Sequence, residues 1–328
     1  MKAAIVTGVT GQDGSFMAEF LLTHEYEVIG VSRRTSTDNT SRIRAIMKNP
    51  AFRLIEGDLC DPMCMHSIVQ GCRDYDSVEI YNLAAQSHVQ TSFEQPGFTF
   101  QVNTMGILGI LEAVRQSGFS ERIKVYQAGT SEMFGKVLET PQTEKTPFNP
   151  RSPYGVSKVA AHMLCKNYRE AYGLFVCNGI LFNHESERRG DNFVTMKIVK
   201  GLRAGHLELG NLDAMRDWGY ARDYVRGMWL MLQHPEPDDY ILATGTTHSV
   251  MEFLNAAIEE MKIKGHWQDA TFVTESSEPL VVTGVGSHIR PSEVDLLLGD
   301  ASKARRVLGW KPDIEFKMLV KIMCQVAP

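Results

Sequence analysis

Tyr154 and Lys158 stand four residues apart in Pro153-Tyr154-Gly155-Val156-Ser157-Lys158. On a helix starting at the proline that spacing is one turn, so both side chains share a face. A lysine ammonium beside a phenol favours the phenolate and lowers a pKa otherwise about 10, making the tyrosine a base near neutral pH. Upstream, Gly129-Thr130-Ser131-Glu132 offers a hydroxyl, Thr130, that can hold a substrate hydroxyl, and a carboxylate, Glu132, that can take a proton. Each has a plainer account: an amphipathic surface pair for Tyr154 and Lys158, a helix-start carboxylate for Glu132. A glycine motif in the same chain favours the chemical one. Thr7-Gly8-Val9-Thr10-Gly11-Gln12-Asp13-Gly14 follows an apolar run and opens a helical stretch. Its glycines let the backbone turn tightly and approach a pyrophosphate resting on the helix N-terminus.

Such residues need a scaffold that brings them together. Short β-branched runs predict strands at Ala3–Thr7, Val28–Ser32, Phe52–Glu56, Val78–Leu83, Lys124–Ala128 and Phe175–Leu181. Between them Ser15–His24, Met63–Gly71, Asn103–Ser117 and Tyr154–Tyr172 carry apolar residues at helical spacing. The alternation predicts an α/β fold, a doubly wound parallel Rossmann sheet whose ligands lie at the carboxyl ends of the strands. After Phe182 the pattern shifts to helices, Gly and Asp loops and short strands such as His206–Leu209 and Thr271–Thr274. The expected division is a dinucleotide lobe over 1–182 and a smaller α/β substrate lobe over 183–328. Tyr240–Thr244 reads as a strand returning to the main sheet, which interleaves the two.

The 328 residues hold 34 Lys+Arg against 39 Asp+Glu, a net charge of -5 that argues against a nucleic-acid or membrane-surface binder. The N-terminus has no charged leader before an apolar stretch, and no apolar run approaches the ~18 residues of a membrane span. Six cysteines lack the paired spacing of a metal or redox site, so no metal is expected and a cytoplasmic location is.

The GxxGxxG spacing together with Tyr154 and Lys158 resembles the extended short-chain dehydrogenase/reductase superfamily. That implies a nicotinamide dinucleotide. Where an NAD enzyme places an acidic residue on the ribose, this chain has Ser32, Arg33 and Arg34. Two guanidiniums suit a 2′-phosphate, so NADP is expected over NAD; solvated surface arginines are the competing account. Asp58 is a candidate for the adenine edge, or an ordinary loop aspartate. The resemblance further implies cofactor contacts at Gly8, Gly11, Gln12, Asp13, Gly14, Leu59, Leu83, Ala84, His184 and Arg189. A simple reductase has no need of Glu132. A dehydratase does, because removing water from a sugar requires a base at C5 and an acid for the C6 hydroxyl.

Further blocks narrow the likeness. Asn82-Leu83-Ala84-Ala85-Gln86-Ser87-His88-Val89, Leu181-Phe182-Asn183-His184-Glu185-Ser186, Arg188-Arg189-Gly190, Leu209-Gly210-Asn211, Arg216-Asp217-Trp218-Gly219 and Arg290-Pro291-Ser292-Glu293-Val294 run in order along nearly the whole chain. Together they resemble the GDP-mannose 4,6-dehydratase family. The resemblance implies oxidation at C4 with Tyr154 taking the hydroxyl proton, C5 deprotonation and loss of the C6 hydroxyl through Glu132, and hydride return to C6. The product is GDP-4-dehydro-6-deoxy-D-mannose. GDP-mannose would then meet Ser87, Ser131, Asn183, Glu185, Lys197, Leu209, Gly210, Arg216, Arg290 and Glu293. The family's loop that reaches a neighbouring subunit corresponds to Arg33–Arg44, implying a homo-oligomer, dimer or tetramer; a mobile solvent loop is the alternative. Gly129, Phe134, Glu187 and His288 depart from residues common in the family. Rival activities are further reduction of the 4-keto product to GDP-D-rhamnose, or a reductase or epimerase on another nucleotide sugar.

Overall fold

The computed structural model describes residues 1–276, 279–284, 294 and 296–325. In chain order the strands are β1 (Lys2–Thr7), β2 (Glu27–Ser32), β3 (Phe52–Glu56), β4 (Ser77–Asn82), β5 (Ile123–Ala128), β6 (Phe175–Leu181), β7 (Asn183–Glu185) and β8 (Leu207–Glu208). They continue as β9 (Met215–Tyr220), β10 (Asp239–Leu242), β11 (Thr247–Ser249), β12 (Gly265–Gln268), β13 (Thr271–Thr274), β14 (Pro279–Val282) and β15 (Leu296–Leu297). A seven-stranded sheet takes the order β10-β6-β5-β4-β1-β2-β3, with every neighbour parallel. Its strands are apolar on both faces because helices cover both: β1 is buried from Ala3 to Thr7. On one face lie Gln12–Thr23 and Ala221–Gln233; on the other lie Pro62–Gln70, Gly106–Arg115 and Pro153–Tyr172.

The seventh strand comes from beyond residue 183, as Tyr240–Thr244 suggested, although it ends at Leu242. Thr244 turns away because its amide, 2.8 Å, and hydroxyl, 2.6 Å, both go to Asp217 Oδ1. Similarly β4 stops at Asn82, since the amides of Leu83 and Ala84 donate to Thr7 Oγ1, both at 3.1 Å, instead of to a ladder. The helical stretch at Asn103 begins as a widened π turn, Gln101–Met105. That turn aims Asn103, which is buried, at Gln86 and Ser157. Two smaller sheets, β11-β9-β15 with β7 beside β9, and β12-β13-β14-β8, pack over Val194–Ala204, Val250–Glu260 and Phe316–Cys324. The large core also takes in Ala304 and Trp310, so the chain crosses between lobes more than once. Among the described residues no helix is long and apolar enough to cross a membrane.

Asp239 fastens the seventh strand: its carboxylate lies 2.6 Å from Arg169, 2.9 Å from the Asn178 amide and 3.4 Å from His162 Nε2. Arg169 and Asp239 are each 16% exposed at the side chain, so removing one leaves the other charge desolvated and alone. Asp239→Ala is expected to cost about 3 kcal/mol in urea unfolding; a loss within about 0.5 kcal/mol contradicts this role.

Candidate active site

Six strands end together on one rim, and the loops that follow enclose a cleft of 1090 Å³. Its first wall is the glycine loop. Gly8 has φ +65, and a Cβ there would lie 2.8 Å from the Ala84 nitrogen; at Gly14 it would lie 2.2 Å from the Gly8 carbonyl oxygen. Only glycine fits either place. The helix that follows starts at Gly11 with no side-chain cap, leaving its first N–H groups facing the cleft for an anion. This cradle fits a dinucleotide pyrophosphate.

Beneath the cleft runs a buried relay of side chains. Thr7 Oγ1 donates to Asn82 Oδ1 at 2.7 Å, Asn82 Nδ2 to Gln127 Oε1 at 2.7 Å, and Gln127 Nε2 to the Ala128 carbonyl at 3.0 Å. That carbonyl also accepts from Lys158 Nζ at 2.8 Å. Lys158 sits on the helix Pro153–Tyr172, whose start is set by Pro153 and by Ser152 accepting from the Gly155 amide at 3.0 Å. Burial pulls the Lys158 ammonium down to about 8.

Tyr154 shares that face, with its ring centroid 6.0 Å from Lys158 Nζ. Its titration departs from the expectation. Burial pushes the phenol up to about 12 despite a hydrogen bond with Thr130, and Glu132 adds to the rise. A phenolate here therefore needs further positive charge from what binds in the cleft. Thr130 caps the short turn Ser131–Met133, and Glu132 lies within it, half-buried and lining the cleft beside Tyr154.

The other wall comes from residues 183–190. His184 Nδ1 lies 2.8 Å from the Phe182 carbonyl, which can only accept, and Nε2 lies 2.8 Å from Asp13 Oδ2. Both nitrogens thus donate, as in an imidazolium. Burial disfavours both charges, yet each group's charge overcomes it: Asp13 falls below its ordinary value and His184 rises above its own. Tyr224 stacks on the imidazole at 4.6 Å.

The cleft is lined by Gly8, Gly11, Gln12, Asp13, Gly14, Arg33, Asp58, Leu59, Leu83, Ala84, Ser87, Thr130, Ser131, Glu132, Tyr154, Lys158, Asn183, His184, Glu185, Arg189, Lys197, Leu209, Gly210 and Arg216. Arg290, Glu293 and His288 lie outside the described residues. Two side chains of this lining also have structural duties. Gln12 donates to the His184 carbonyl and accepts from Ser186, so its amide ties the lobes together. Glu185 is 2% exposed, with Oε2 accepting from Thr195 at 2.6 Å and facing Arg189 at 2.9 Å. It anchors Arg189, which also covers the Phe193 ring.

Residues that sequence reasoning passed over include Arg42, His88 and Trp218, all in the lining. Arg42 shows that part of the 33–44 loop packs on its own chain. Its Nε donates to the Arg188 carbonyl at 2.9 Å while Ile43 is fully buried, so this half of the loop docks on its own chain; 33–38 stay exposed. The isoleucine beside Arg42 was the available signal.

This architecture is that of the nucleotide-sugar dehydratases and epimerases. A dTDP-glucose 4,6-dehydratase of Bacillus anthracis solved with NAD superposes with a TM-score of 0.82 at 21% identity, covering 99% of this chain and 96% of that one. A UDP-glucose 4-epimerase of Thermotoga maritima does so at 0.82 and 22%, covering 99% and 98%. Sequence narrows the class: the family model for GDP-mannose 4,6 dehydratase matches residues 5–323. The Drosophila melanogaster GDP-mannose 4,6 dehydratase is 48% identical over 98% of this chain and 85% of its own length. The human one is 48% identical over 98% and 90%, and that of Vibrio cholerae 47% over 95% and 90%. The chain belongs to the GDP-mannose 4,6-dehydratase family.

The ion pair of the cleft wall has a pH signature. Because His184 is raised above 6.5, its stabilisation is fully present below that pH and fades as pH rises through the elevated folded value. The difference in unfolding free energy between wild type and His184→Gln should therefore be largest below pH 6.5 and shrink above it. A difference that stays flat from about pH 6 to about pH 9 contradicts the ion pair.

Proposed function

We propose that this protein is a lyase that removes water from GDP-mannose, giving GDP-4-dehydro-6-deoxy-D-mannose, with NADP as its resident cofactor. The observation that carries the reading is Glu132 beside Thr130, facing Tyr154 and Lys158 in one cleft with arginines at both ends. A redox-only site has no task for that carboxylate, and burying it without one costs free energy. The relatives' names and the neighbour solved with NAD support the substrate and a nicotinamide cofactor. Arg33, with Arg42 across the same end of the cleft, favours a 2′-phosphate.

Bound NADP would supply a hydride acceptor for C4, a hydride donor for C6 and, when oxidised, positive charge beside the phenol. The protein's own residues hold and move the protons. Tyr154 takes the C4 hydroxyl proton while Thr130 holds that hydroxyl and Lys158 keeps a cation below. Glu132 takes the C5 proton, acidified by the new ketone, and returns it to the C6 hydroxyl, which leaves as water; when C6 is reduced, C5 takes up the proton that Tyr154 received from the C4 hydroxyl, so both residues end as they began. Asn183, Lys197 and Arg216 line the end assigned to the nucleotide diphosphate, and Ser87 and Ser131 the sugar. Most cofactor residues belong to the 1–182 lobe, joined by His184 and Arg189, and most of those for the sugar nucleotide belong to the 183–328 lobe, joined by Ser87 and Ser131.

A homo-oligomer is part of the proposal. Exposed Phe98, Met105, Val156 and Met163 lie on mutually packed helices and suit a second copy, and 33–38 is the candidate for a further subunit contact. Six unpaired thiols fit a reducing, cytoplasmic setting.

Mass spectrometry of GDP-mannose incubated with the protein and NADP⁺ should show loss of one water. Glu132→Gln should lower kcat by about 10²-fold or more while NADPH affinity holds. Turnover at the wild-type rate in that variant would falsify the assigned base.

A further inference from the structure

Between Glu132 and Tyr154 the chain makes an excursion whose ends meet. The Asn149 amide donates to the Met133 carbonyl at 3.0 Å, and the Lys136 amide to the Asn149 carbonyl at 3.1 Å. Each root of this loop thus carries one half of the proposed catalytic set. Aromatic packing stiffens the roots: Phe134 meets Phe148 and Phe182, and Phe148 meets His162 of the catalytic helix edge-on at 5.0 Å.

The far end of the loop grips a distant segment. Gln142 is fully buried. Its main-chain N–H donates to the Leu298 carbonyl at 2.8 Å, its side-chain Oε1 accepts from the Leu298 amide at 2.9 Å, and its main-chain carbonyl accepts from the Asp300 amide at 2.8 Å. The peptide between them turns the other way, and the Gly299 amide donates to Asp217. Asp217, also fully buried, further accepts from Thr244 and from the Gly245 amide at 2.9 Å. It sits in β9 between Arg216 and Trp218, which line the cleft. Just upstream, β15 pairs with β9 at Met215 and Arg216.

Residues 298–300 are therefore held from both sides, by Gln142 from the catalytic loop and by Asp217 from the strand that carries Arg216. We infer that Gln142 is a positioning residue that keeps β9 in register with Thr130, Glu132 and Tyr154. A sugar nucleotide held at Arg216 is thereby presented with its C4 and C5 at the reacting groups. The inference rests on the function proposed above. Its physical motive is steep: displacing a bound substrate by about 1 Å can cost ~10²-fold in rate. Main-chain pairing of β15 with β9 fixes only their mutual register; the Gln142 contacts fix both against the catalytic loop.

The test compares wild type with Gln142→Leu, which removes the acceptor for the Leu298 amide, and Gln142→Asn, which keeps an amide too short to reach it. Both should lower kcat for GDP-mannose by about tenfold. Inhibition by GDP and affinity for NADPH should stay within about twofold, because the binding groups are intact and only their presentation is lost. A purely structural role would lower the melting temperature and leave kcat unchanged well below it, which overturns the inference. So does weaker GDP inhibition in step with kcat, which means pocket collapse. If Gln142→Leu fails to fold, Gln142→Asn decides by the same readouts. A wild-type protein that releases no water from GDP-mannose overturns the proposed function itself; one that does so, with variants at full kcat, overturns this inference alone.

Discussion

A lysine ammonium buried under the cleft and satisfied by one backbone carbonyl is the constraint around which the site is built. Taking that charge out of water is costly, and the cost shows in Lys158, pulled down to about 8. The Ala128 carbonyl must therefore be held in place, and Gln127 holds it from the far side. Gln127 is in turn oriented by Asn82, and Asn82 by Thr7. Thr7 also receives the amides of Leu83 and Ala84, which ends β4 and forms the cleft floor beside Gly8. One relay thus joins the ends of three adjacent parallel strands to the helix that carries Tyr154 and Lys158. A local change at Asn82 or Gln127 would reach Lys158 without touching any ligand.

The same relay explains what could and could not be read from the residue order. Strands, the glycine loop and the Pro153 helix start are local patterns, and their positions agree with the structure to within a few residues. Partners are not local. Lys158 finds a carbonyl 30 positions away, and Gln12 finds His184 at a separation of 172. Nothing in spacing alone distinguishes a glutamine that touches a cofactor from one that ties two lobes. Tyr154 illustrates the same limit. Its neighbour in sequence suggested a lowered phenol, but burial, which spacing does not show, dominates and pushes it to about 12.

Charge follows a similar logic. The chain total of -5 is silent about a cleft where two of the lining acids are committed to cations. Asp13 is neutralised by His184, Glu185 by Arg189, and Glu19 outside the rim by Arg188. Arg33, Arg42 and Arg216 line the same cleft. The two anion sites proposed for this acidic protein are then no contradiction, since local potential and net charge answer different questions.

The two lobes meet along a seam that polar side chains cross at both ends. On the cofactor side Gln12, Asp13 and Ser15 bond to residues 184–188, where Arg188 also covers the Phe16 ring at 4.1 Å. On the other side Gln142 and Asp217 enclose residues 298–300. These contacts are directional and largely buried, so sliding one lobe over the other by even a fraction of an ångström would strand several donors at once. Apolar packing alone would tolerate such a slide far better, because its strength falls gradually with displacement. A reaction that must meet one sugar at C4, C5 and C6 in turn without releasing it gains from a seam of this directional kind.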